Sequence, residues 1–378
     1  MSDLCHPISD FCIPVYYAGC LDSDPYFCLK QCDRTIVPGL RERGVEVREL
    51  HRQLPQGKIL RKLNRHLLYP ALVAKTAKHP PPATRHPSFF HISSQCYANL
   101  VPFAKGPVSI TVHDVAEFDY PEGYTTAQYR RWKKRIDQIK NADLVFTVSD
   151  YTRQELIAKA GVPAGKIIVN HNGVDPAFQR LEESDAGIRH PDIARLKKDN
   201  FLILVTGADL YRKNLPTLLE AVAELRKNSV PALLVKTGDT LAVRHSPLIA
   251  ELGLADCIIE CGHIGRDELV ALYNLCDVLA FPSFYEGFGM PVAEAQRCGL
   301  PCVISNASSL PEIGGDGALY HNPLDAKQLA GQLQRVYEDN GLRNDLREKG
   351  FKNAERFSWD KHVDTLLEGF RKISRGDD

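Results

Sequence analysis

Two glutamates with seven residues between them mark the most informative stretch of the chain, FPSFYEGFGMPVAEAQRCGLPCVISNASSLPE. Glu286 lies in a loop that follows the apolar run 278–281, and Glu294 falls in the first turns of a helix that Pro291 would open. Both carboxylates can therefore face one crevice. Each offers two acceptor oxygens, which suit the neighbouring hydroxyls of a sugar or a ribose. A loop acid and an unrelated, solvated helix acid are the alternative interpretation.

The same stretch predicts an anion site. Gly287 and Gly289 allow a ligand to approach the backbone around Phe288, and the helix that follows presents free N–H groups and a positive dipole end. Arg212 and Lys213 follow another predicted strand, so we expect them at the same crevice. A forked guanidinium and an ammonium suit a diphosphate. Two solvated loop cations are the alternative.

A histidine follows the apolar run SITV in the N-terminal half. His113 is therefore predicted at the ligand edge of a sheet, next to Asp114, although a structural role is the alternative. Neither GxGxxG nor GxxxxGK[ST] occurs, which disfavours nicotinamide cofactors and P-loop nucleotide hydrolysis. No acid–base dyad, nucleophile elbow or metal cluster competes with these residues.

Strand patterns alternate with helical patterns in two successive series, which predicts an α/β protein with two Rossmann-like domains. The predicted boundaries are 1–180 for the N-terminal domain, 181–200 for a polar linker, 201–355 for the second domain and 356–378 for a long C-terminal helix. The predicted strands are 11–18, 45–50, 89–92, 108–112, 144–148, 166–169, 201–205, 232–236, 257–260, 278–281 and 301–305.

Composition limits the class of protein. With 378 residues, 44% of them apolar and 25% charged, the chain is large enough for two domains, and its formal net charge of zero gives no general attraction to nucleic acid. No run approaches the length of a membrane span, and the first residues lack the pattern of a signal peptide. The eleven cysteines include no Cys-x-x-Cys, which argues against a zinc site or a disulfide framework. We expect a cytoplasmic protein.

One segment is wholly basic. No acidic residue occurs between Leu50 and His113, and apolar residues within 57–79 recur at helical spacing. A basic amphipathic helix can lie on an anionic membrane, which would place the protein at the inner membrane face. The alternative is an ordinary domain helix whose leucines pack on the sheet.

The stretch EGFGMPVAE resembles the donor-site signature of the family-4 retaining glycosyltransferases. TVHDVAEFDYPEGY, GADLYRKNLPTLLEAV and the block from GHIGRDEL to HNPLD resemble further segments of that family, in family order. The terminal FSWDKHVDTLL resembles the family segment that crosses back to the N-terminal domain. The resemblance implies a GT-B fold, in which two Rossmann-like domains face a central cleft, with the donor on the C-terminal domain and the acceptor mainly on the other.

The resemblance also implies roles for individual residues. Arg212 and Lys213 would bind the donor diphosphate, Glu286 would contact the transferred sugar, and Glu294 would bind the ribose hydroxyls. His113 would touch the donor sugar or the reacting centre. The remaining donor contacts implied are Gly287, Phe288, Gly289, Gly262, His263 and Ile264, with the last three near the nucleobase. No metal is expected, because cationic side chains and a helix end would stabilise the leaving group.

One segment departs from the family pattern. The loop after the first strand usually carries a Gly-Gly pair, but here it reads AGCLDSD, with one glycine and two acids, so Gly19 is the only candidate for close approach to a ligand. The implied reaction is transfer of a hexose to a hydroxyl of a saccharide or lipid-linked acceptor, with GDP-mannose preferred to a UDP-hexose as donor. A nucleotide-sugar epimerase or hydrolase, and a non-catalytic nucleotide-sugar-binding module, remain as other classes.

Overall fold

The structure is a computed structural model that describes residues 14–22, 24, 27–55, 60–78, 89–121 and 123–375. It contains two compact units. Unit 1 comprises 1–173 together with 359–378, and unit 2 comprises 174–358. Parts of the predicted strand 11–18 and of the basic segment 57–79 fall outside the described residues.

Unit 1 is built on a parallel sheet of six strands in the order β2-β1-β3-β4-β5-β6. Its strands are β1 (Val15–Ala18), β2 (Val47–Glu49), β3 (Phe89–Ile92), β4 (Val108–Val112), β5 (Leu144–Thr147) and β6 (Ile167–Val169). Its helices before residue 173 are α1 (Phe27–Glu42), α2 (Arg61–Leu63), α3 (Tyr69–Lys78), α4 (Thr126–Ile136) and α5 (Asp150–Ala160). The predicted strands are short continuous apolar runs, which is the pattern of strands buried on both faces.

Local sequence sets the helix boundaries. A capping box between Thr125 and Gln128 begins α4, and Ser149 caps the start of α5 through the N–H of Thr152. Gly161 ends α5 in the left-handed conformation, with φ of 66°. Between α2 and α3 the residues Asn64–Leu68 form a π-helix, so the predicted amphipathic helix of the basic segment is not a regular α-helix throughout.

Unit 2 contains a second parallel sheet of six strands, in the order β12-β11-β10-β7-β8-β9. Its strands are β7 (Phe201–Gly207), β8 (Ala232–Gly238), β9 (Ile258–Gly262), β10 (Val278–Phe281), β11 (Cys302–Ser305) and β12 (Ala318–His321). Its helices are α6 (Glu183–Arg189), α7 (Pro191–Leu196), α8 (Leu215–Lys227), α9 (Ala242–Glu251), α10 (Arg266–Leu275), α11 (Met290–Arg297), α12 (Leu310–Gly314), α13 (Ala326–Glu338) and α14 (Asn340–Ala354).

The last helix, α15 (Trp359–Arg375), belongs to unit 1. Its buried residues Leu366 and Phe370 share a core cluster with residues of α1, β1 and β5. A second cluster packs α3, α4 and α5 against the sheet. The prediction of two Rossmann-like α/β domains is confirmed, and so is the return of the C-terminal helix to the first of them.

The domain boundaries read from the sequence differ from the two units. The chain passes into unit 2 at Val174, before the predicted end of the N-terminal domain at 180. The segment 181–200, predicted as a polar linker, contains α6 and α7, and α6 packs on α10 within unit 2. The polar, charged composition of this segment suggested a linker, although Ala186 of α6 and Ile193 of α7 are buried.

Candidate functional site

The sheet of unit 2 reverses its strand order between β7 and β10. In open α/β sheets, ligands bind at the carboxyl ends of the strands on either side of such a reversal. The loop after β7 carries Arg212 and Lys213, and the loop after β10 carries Glu286. The backbone N–H of Phe284 donates to the carbonyl of Arg212 at 2.8 Å, which joins the two loops directly. The fold therefore brings the predicted cations and the predicted loop acid together.

Glu286 is ion-paired with both cations. Lys213 Nζ lies 2.6 Å from Glu286 Oε1, and Arg212 Nη1 lies 3.4 Å from Oε2 and 3.1 Å from the carbonyl oxygen of Tyr285. Lys213 also stands 4.7 Å above the ring of Phe281, at the end of β10. Burial acts to raise the pKa of Glu286, but the charges of Lys213 and Arg212 outweigh it and hold this pKa below its ordinary value. Glu286 is consequently ionised at neutral pH.

A third cation, which sequence reasoning missed, lies close to this pair. Lys236 ends the apolar part of β8 and is buried, with its Nζ donating to the carbonyl oxygens of Gly207 (2.7 Å) and Thr237 (2.5 Å). Burial lowers its pKa and Lys213 adds to this effect, although the carboxylates of Asp239, Asp209 and Glu260 oppose it. The available signal was a lysine inside the apolar run ALLVKTG, since an unpaired lysine is rarely buried.

The backbone of the Gly-rich loop is held by two serines. Ser308 Oγ accepts from the N–H of Glu286 at 2.9 Å, while Ser309 Oγ donates toward the carbonyls of Glu286 and Phe288 at 3.0 and 2.9 Å. Gly289 has φ of 101°, and a Cβ there would meet Leu310 Cδ2 at 2.8 Å. Only glycine fits this position, so the loop can turn into the start of α11.

Glu294 lies on α11, where the sequence predicted it. It is partly buried, and the hydroxyl of Tyr273 donates to its Oε2 at 3.0 Å. Burial raises the pKa of Glu294 to about 7, the negative charge of Asp175 adds to the rise, and the Tyr273 hydrogen bond opposes it. The two predicted carboxylates thus have opposite pKa shifts: Glu286 is stably charged, whereas Glu294 titrates near neutrality.

The residues predicted to contact the nucleobase lie at the carboxyl end of β9. This strand is the outermost of the sheet next to β8, and its carboxyl end lies on the same side of the sheet as those of β7 and β10. Gly262 has φ of 63°, which a glycine adopts without strain. The exposed His263 lies with its Nε2 3.1 Å from Asp239 Oδ1, in the loop after β8, and Ile264 is partly buried. All residues of unit 2 that are predicted to bind the donor therefore lie at or after the carboxyl ends of strands in one sheet.

His113 belongs to unit 1 and follows β4, as predicted. Its Nε2 donates to the carbonyl oxygen of Ser93 at 3.0 Å, and its backbone N–H donates to Gln95 Oε1 at 3.0 Å. Burial lowers the pKa of His113, which favours the neutral ring at pH 7. Because Nε2 carries the proton in this hydrogen bond, Nδ1 is left as an acceptor.

Gly19 is enclosed by its neighbours in unit 1. A Cβ there would meet the ring of His51 at 2.8 Å and Asp33 Oδ2 at 2.9 Å. The carboxylate of Asp33 accepts from the N–H of Cys20 at 2.6 Å, and the hydroxyl of Tyr69 donates to the carbonyl of Gly19 at 3.1 Å. The loop that departs from the family pattern is thus fixed by buried polar groups. Close backbone approach to a ligand at Gly19 stays a prediction.

A polar cavity of about 120 Å³ adjoins this loop. Carboxylates, cations and a histidine line it together, which is a donor and acceptor set suited to hydroxyl-bearing ligands. The lining groups that carry charge or a ring nitrogen are Asp22, Lys30, Asp33, Arg34, Arg41, Glu49, His51 and Arg52.

Among the described residues, no cluster of three or more His, Cys, Asp or Glu side chains has the arrangement of a metal site. In that same part of the chain, no helix has the length and apolar content needed to cross a bilayer.

Family models match most of the chain. Residues 34–178 match the model described as Glycosyltransferase Family 4, and residues 189–353 match the model described as Glycosyl transferases group 1.

Individual relatives point in the same direction. The chain is 28% identical over 296 residues to the serotype-specific mannosyltransferase WbdA of Escherichia coli, covering 76% of this chain but 36% of that protein, so it spans about a third of that relative's length. It is also 28% identical to the O-antigen chain mannosyltransferase B of Escherichia coli, over 70% of each chain. Among solved structures, HepE of Anabaena in complex with UDP and glucose superposes with a TM-score of 0.72 at 19% identity, covering 96% of this chain and 100% of that one.

Proposed function

Because this chain belongs to the family-4, group 1 glycosyltransferases, we propose that it transfers a hexose from a nucleoside-diphosphate-sugar to an acceptor hydroxyl. The observation that carries the proposal is the arrangement at the strand-order reversal of unit 2, where Lys213 and Arg212 meet Glu286. Two cations beside a loop of fixed N–H groups and a helix start suit the charge of a diphosphate.

In the proposed reaction, bond cleavage places negative charge on the donor diphosphate. Arg212 and Lys213 stabilise that charge, and the start of α11 adds the positive end of its dipole. Glu286 binds hydroxyls of the transferred sugar, Glu294 binds the ribose hydroxyls, and His113 contributes its acceptor nitrogen near the reacting sugar. The sugar is transferred with retention of configuration, as in the family that the motifs resemble, and no metal takes part.

We propose GDP-mannose as the donor. This choice is supported by the similarity to WbdA and to the O-antigen chain mannosyltransferase B, both of which are named mannosyltransferases. A UDP-hexose is the second candidate, because HepE was solved with UDP and glucose. The base contacts proposed at Gly262, His263 and Ile264 are compatible with either nucleotide.

The acceptor is proposed to be a saccharide or a lipid-linked saccharide. The name of an O-antigen chain enzyme among the relatives supports a growing polysaccharide chain. The cavity beside Gly19 offers carboxylates and cations that suit sugar hydroxyls or a phosphate group. An epimerase or hydrolase of the same fold would consume the donor in the absence of any acceptor. A binding module would bind the donor without consuming it.

The first test is a thermal-shift series with GDP, UDP, dTDP and ADP and their sugar conjugates on the purified chain. A ligand that binds only the folded state raises its stability by mass action, so one nucleotide should raise the melting temperature and the others should not. We expect GDP and GDP-mannose to respond. The matched controls are Lys213→Ala, which should abolish the response, and Lys198→Ala, which removes an exposed cation elsewhere in unit 2 and should not.

Two results of the thermal-shift series would contradict the proposal. A flat series with folded protein would favour a module without this donor, and a response that survives Lys213→Ala would place the nucleotide elsewhere. Release of GDP from GDP-mannose should then depend on added saccharide acceptor. Equal release without acceptor would favour a hydrolase.

A further inference from the structure

A buried lysine lies beside the candidate donor site without a carboxylate of its own. Lys236 of β8 is 1% exposed, and it forms no ion pair with any acidic residue that the structure describes. Its Nζ donates instead to two backbone carbonyl oxygens, those of Gly207 at 2.7 Å and Thr237 at 2.5 Å. Burying a charge that is paired only with dipoles is costly, so a fold that retains one gains something from it elsewhere.

The acids closest to Lys236 in electrostatic terms already have partners. Three carboxylates at the ends of β7, β8 and β9 favour its charged form, which opposes the lowering of its pKa by burial. Each of the three is held by another group: Asp209 by His245 at 3.0 Å, Asp239 by His263 at 3.1 Å, and Glu260 by Thr240 at 2.6 Å. The charge of Lys236 is therefore favoured by these acids without being neutralised by direct contact.

The ammonium group of Lys236 lies on the sheet edge where the donor diphosphate is proposed to bind. Strand β7 is flanked by β8 on one side and by β10 on the other. The loop after β7, residues 208–214, carries Arg212 and Lys213. The charge of Lys213 adds to the lowering of the pKa of Lys236, which means that the two cations repel each other. An anion bound at this loop would offset that repulsion and attract both.

Lys236 also fixes the place where this loop begins. Its hydrogen bond to the carbonyl of Gly207 holds the last residue of β7, and the N–H of Asp209 donates to Asp239 Oδ2 at 3.0 Å. Gly238 has φ of 90°, and a Cβ there would collide with the carbonyl oxygen of Gly207, so only glycine lets the two strand ends approach so closely. The loop 208–214 is thus held on the β8 side at its start, and on the β10 side at its end by the contacts of Arg212.

Joining two strand ends does not by itself require a charge. A glutamine amide also donates two hydrogen bonds, and an uncharged side chain has a smaller cost of burial than an ammonium group. The charge of Lys236 therefore indicates a second role, toward an anion. The diphosphate proposed at Arg212 and Lys213 is an anion of this kind on the same sheet edge.

We propose that Lys236 is a positioning residue of the donor site, which holds the start of the loop 208–214 through the carbonyl of Gly207 and adds a buried positive charge to those of Arg212 and Lys213. Lys236 has this role only if a diphosphate binds at these cations, so the inference rests on the proposed function. Its effect reaches the donor through the position of the loop and through the electrostatic potential of the site.

The test is calorimetric titration of Lys236→Met with GDP, UDP and GMP. Methionine is an unbranched side chain that removes both the charge and the two hydrogen bonds. Affinity for the diphosphate that the unchanged protein binds should fall about tenfold, and affinity for GMP should fall less because GMP carries one phosphate. Leu234→Ala is the matched control. Leu234 is buried in the same strand, so its loss destabilises unit 2 but leaves the carbonyl of Gly207 in place, and diphosphate affinity should be kept.

A second variant separates the charge from the hydrogen bonds. Lys236→Gln keeps a donor for the carbonyl of Gly207 but removes the charge, so it should weaken diphosphate binding and leave the loop in place. Hydrogen exchange of the ligand-free proteins, measured by mass spectrometry, reports on the loop directly. Exchange in peptides covering 208–214 should be faster in Lys236→Met than in Lys236→Gln or Leu234→Ala. Lys236→Gln also tests the role of the charge if Lys236→Met does not fold.

The outcomes distinguish this role from the proposed function. If the unchanged protein bound neither GDP nor UDP, the proposed function would fail, and the role of Lys236 with it. The role of Lys236 alone is overturned if the unchanged protein binds a diphosphate that Lys236→Gln binds equally well. It is also overturned if Leu234→Ala weakens binding as much as Lys236→Met, or if the loop exchanges no faster in Lys236→Met than in the control.

Discussion

Glu286 pairs with the two cations that are proposed to bind the negative charge of the donor. Its carboxylate neutralises Lys213 at 2.6 Å and Arg212 at 3.4 Å, and it is buried, whereas the two cations are half-buried. A diphosphate entering the site must share or displace these contacts. If the proposed donor site is right, the acid should weaken the binding of a diphosphate that carries no sugar, because both compete for Lys213 and Arg212.

Replacing Glu286 by glutamine tests this competition. The change keeps the shape of the side chain but frees the two cations, so GDP should bind several-fold more tightly. Transfer should fall about a thousandfold, since the contact with the sugar loses its charge. Calorimetric titration of GDP and a transfer assay with GDP-mannose measure the two effects separately.

The opposite signs of these effects separate a ligand-binding role from a structural one. If GDP binding fell in parallel with transfer, Glu286 would act by holding the loop in shape. Ser308→Ala serves as the control for that outcome, because it removes the hydrogen bond that Ser308 accepts from the N–H of Glu286 and leaves the charges in place. We expect Ser308→Ala to weaken GDP binding and transfer modestly and to a similar extent.

Glu294 predicts a pH dependence of donor affinity. Burial raises its pKa to about 7, and in the proposed binding mode the ionised carboxylate accepts from both ribose hydroxyls whereas the protonated form does not. Affinity for GDP-mannose should therefore rise about tenfold between roughly pH 6 and pH 8. This donor is a suitable probe because its diphosphate does not titrate in that range. Glu294→Gln should bind with low affinity at every pH, and a slope that persists in this variant would assign the titration to another group.

The same shift acts on stability with a defined sign. Because the pKa of Glu294 is raised in the folded state, folding favours the protonated form, so its stabilising effect is full below the ordinary pKa near 4.5 and is lost as pH rises through 7. Glu294→Gln should flatten the decline in melting temperature of the ligand-free protein over this interval. The affinity for GDP-mannose should then rise with pH while the melting temperature falls, and both changes originate in the carboxyl group of Glu294.

At the scale of helices and strands, the sequence pattern predicted the bounds of an element correctly where that element is completely buried. The strands β3, β4 and β10 have the predicted bounds, since short apolar runs ended by polar residues identify buried parallel strands. Helix α8 also has its predicted bounds at Leu215 and Lys227. The pattern failed in the polar segment that forms α6 and α7, and it overlooked α9, which contains Pro247. It also gave no sign of the π-helical Asn64–Leu68, in which Arg65 is ion-paired with Asp24.

The sequence predicted those site residues that come after a strand, because the carboxyl ends of parallel strands lie at one edge of the sheet. Residues that directly follow strands, such as Lys213 and Glu286, could be placed together from the sequence because parallel strands share a carboxyl edge. The buried Lys236 and the supporting Ser308 and Ser309 were missed, because their contacts join residues that are distant in sequence. The tyrosine hydrogen bond that accompanies the unusual pKa of Glu294 was equally invisible, since Tyr273 comes from another helix.

At the scale of the whole molecule, the chain ends in the unit where it began. The ring of Phe370 in α15 lies 4.7 Å from that of Phe89 in β3 and 6.1 Å from that of Phe146 in β5, all of them buried. A Cβ at Gly369 would meet Phe146 at 2.5 Å, so the helix backbone lies directly on the sheet. The core of unit 1 is therefore incomplete without α15.

Phe370→Ala should therefore destabilise unit 1 by about 3–5 kcal/mol, because it removes a large ring from a closed core. Hydrogen exchange measured by mass spectrometry should show faster exchange in peptides from β3 and β5, with those from β10 unchanged. Phe201→Ala is the reciprocal control: Phe201 is buried in β7 against Tyr337, so its loss should accelerate exchange in unit 2 alone. If either variant accelerated exchange equally in both sheets, the two units would unfold as one, and the division at Gly173 and Trp359 would describe geometry without describing stability.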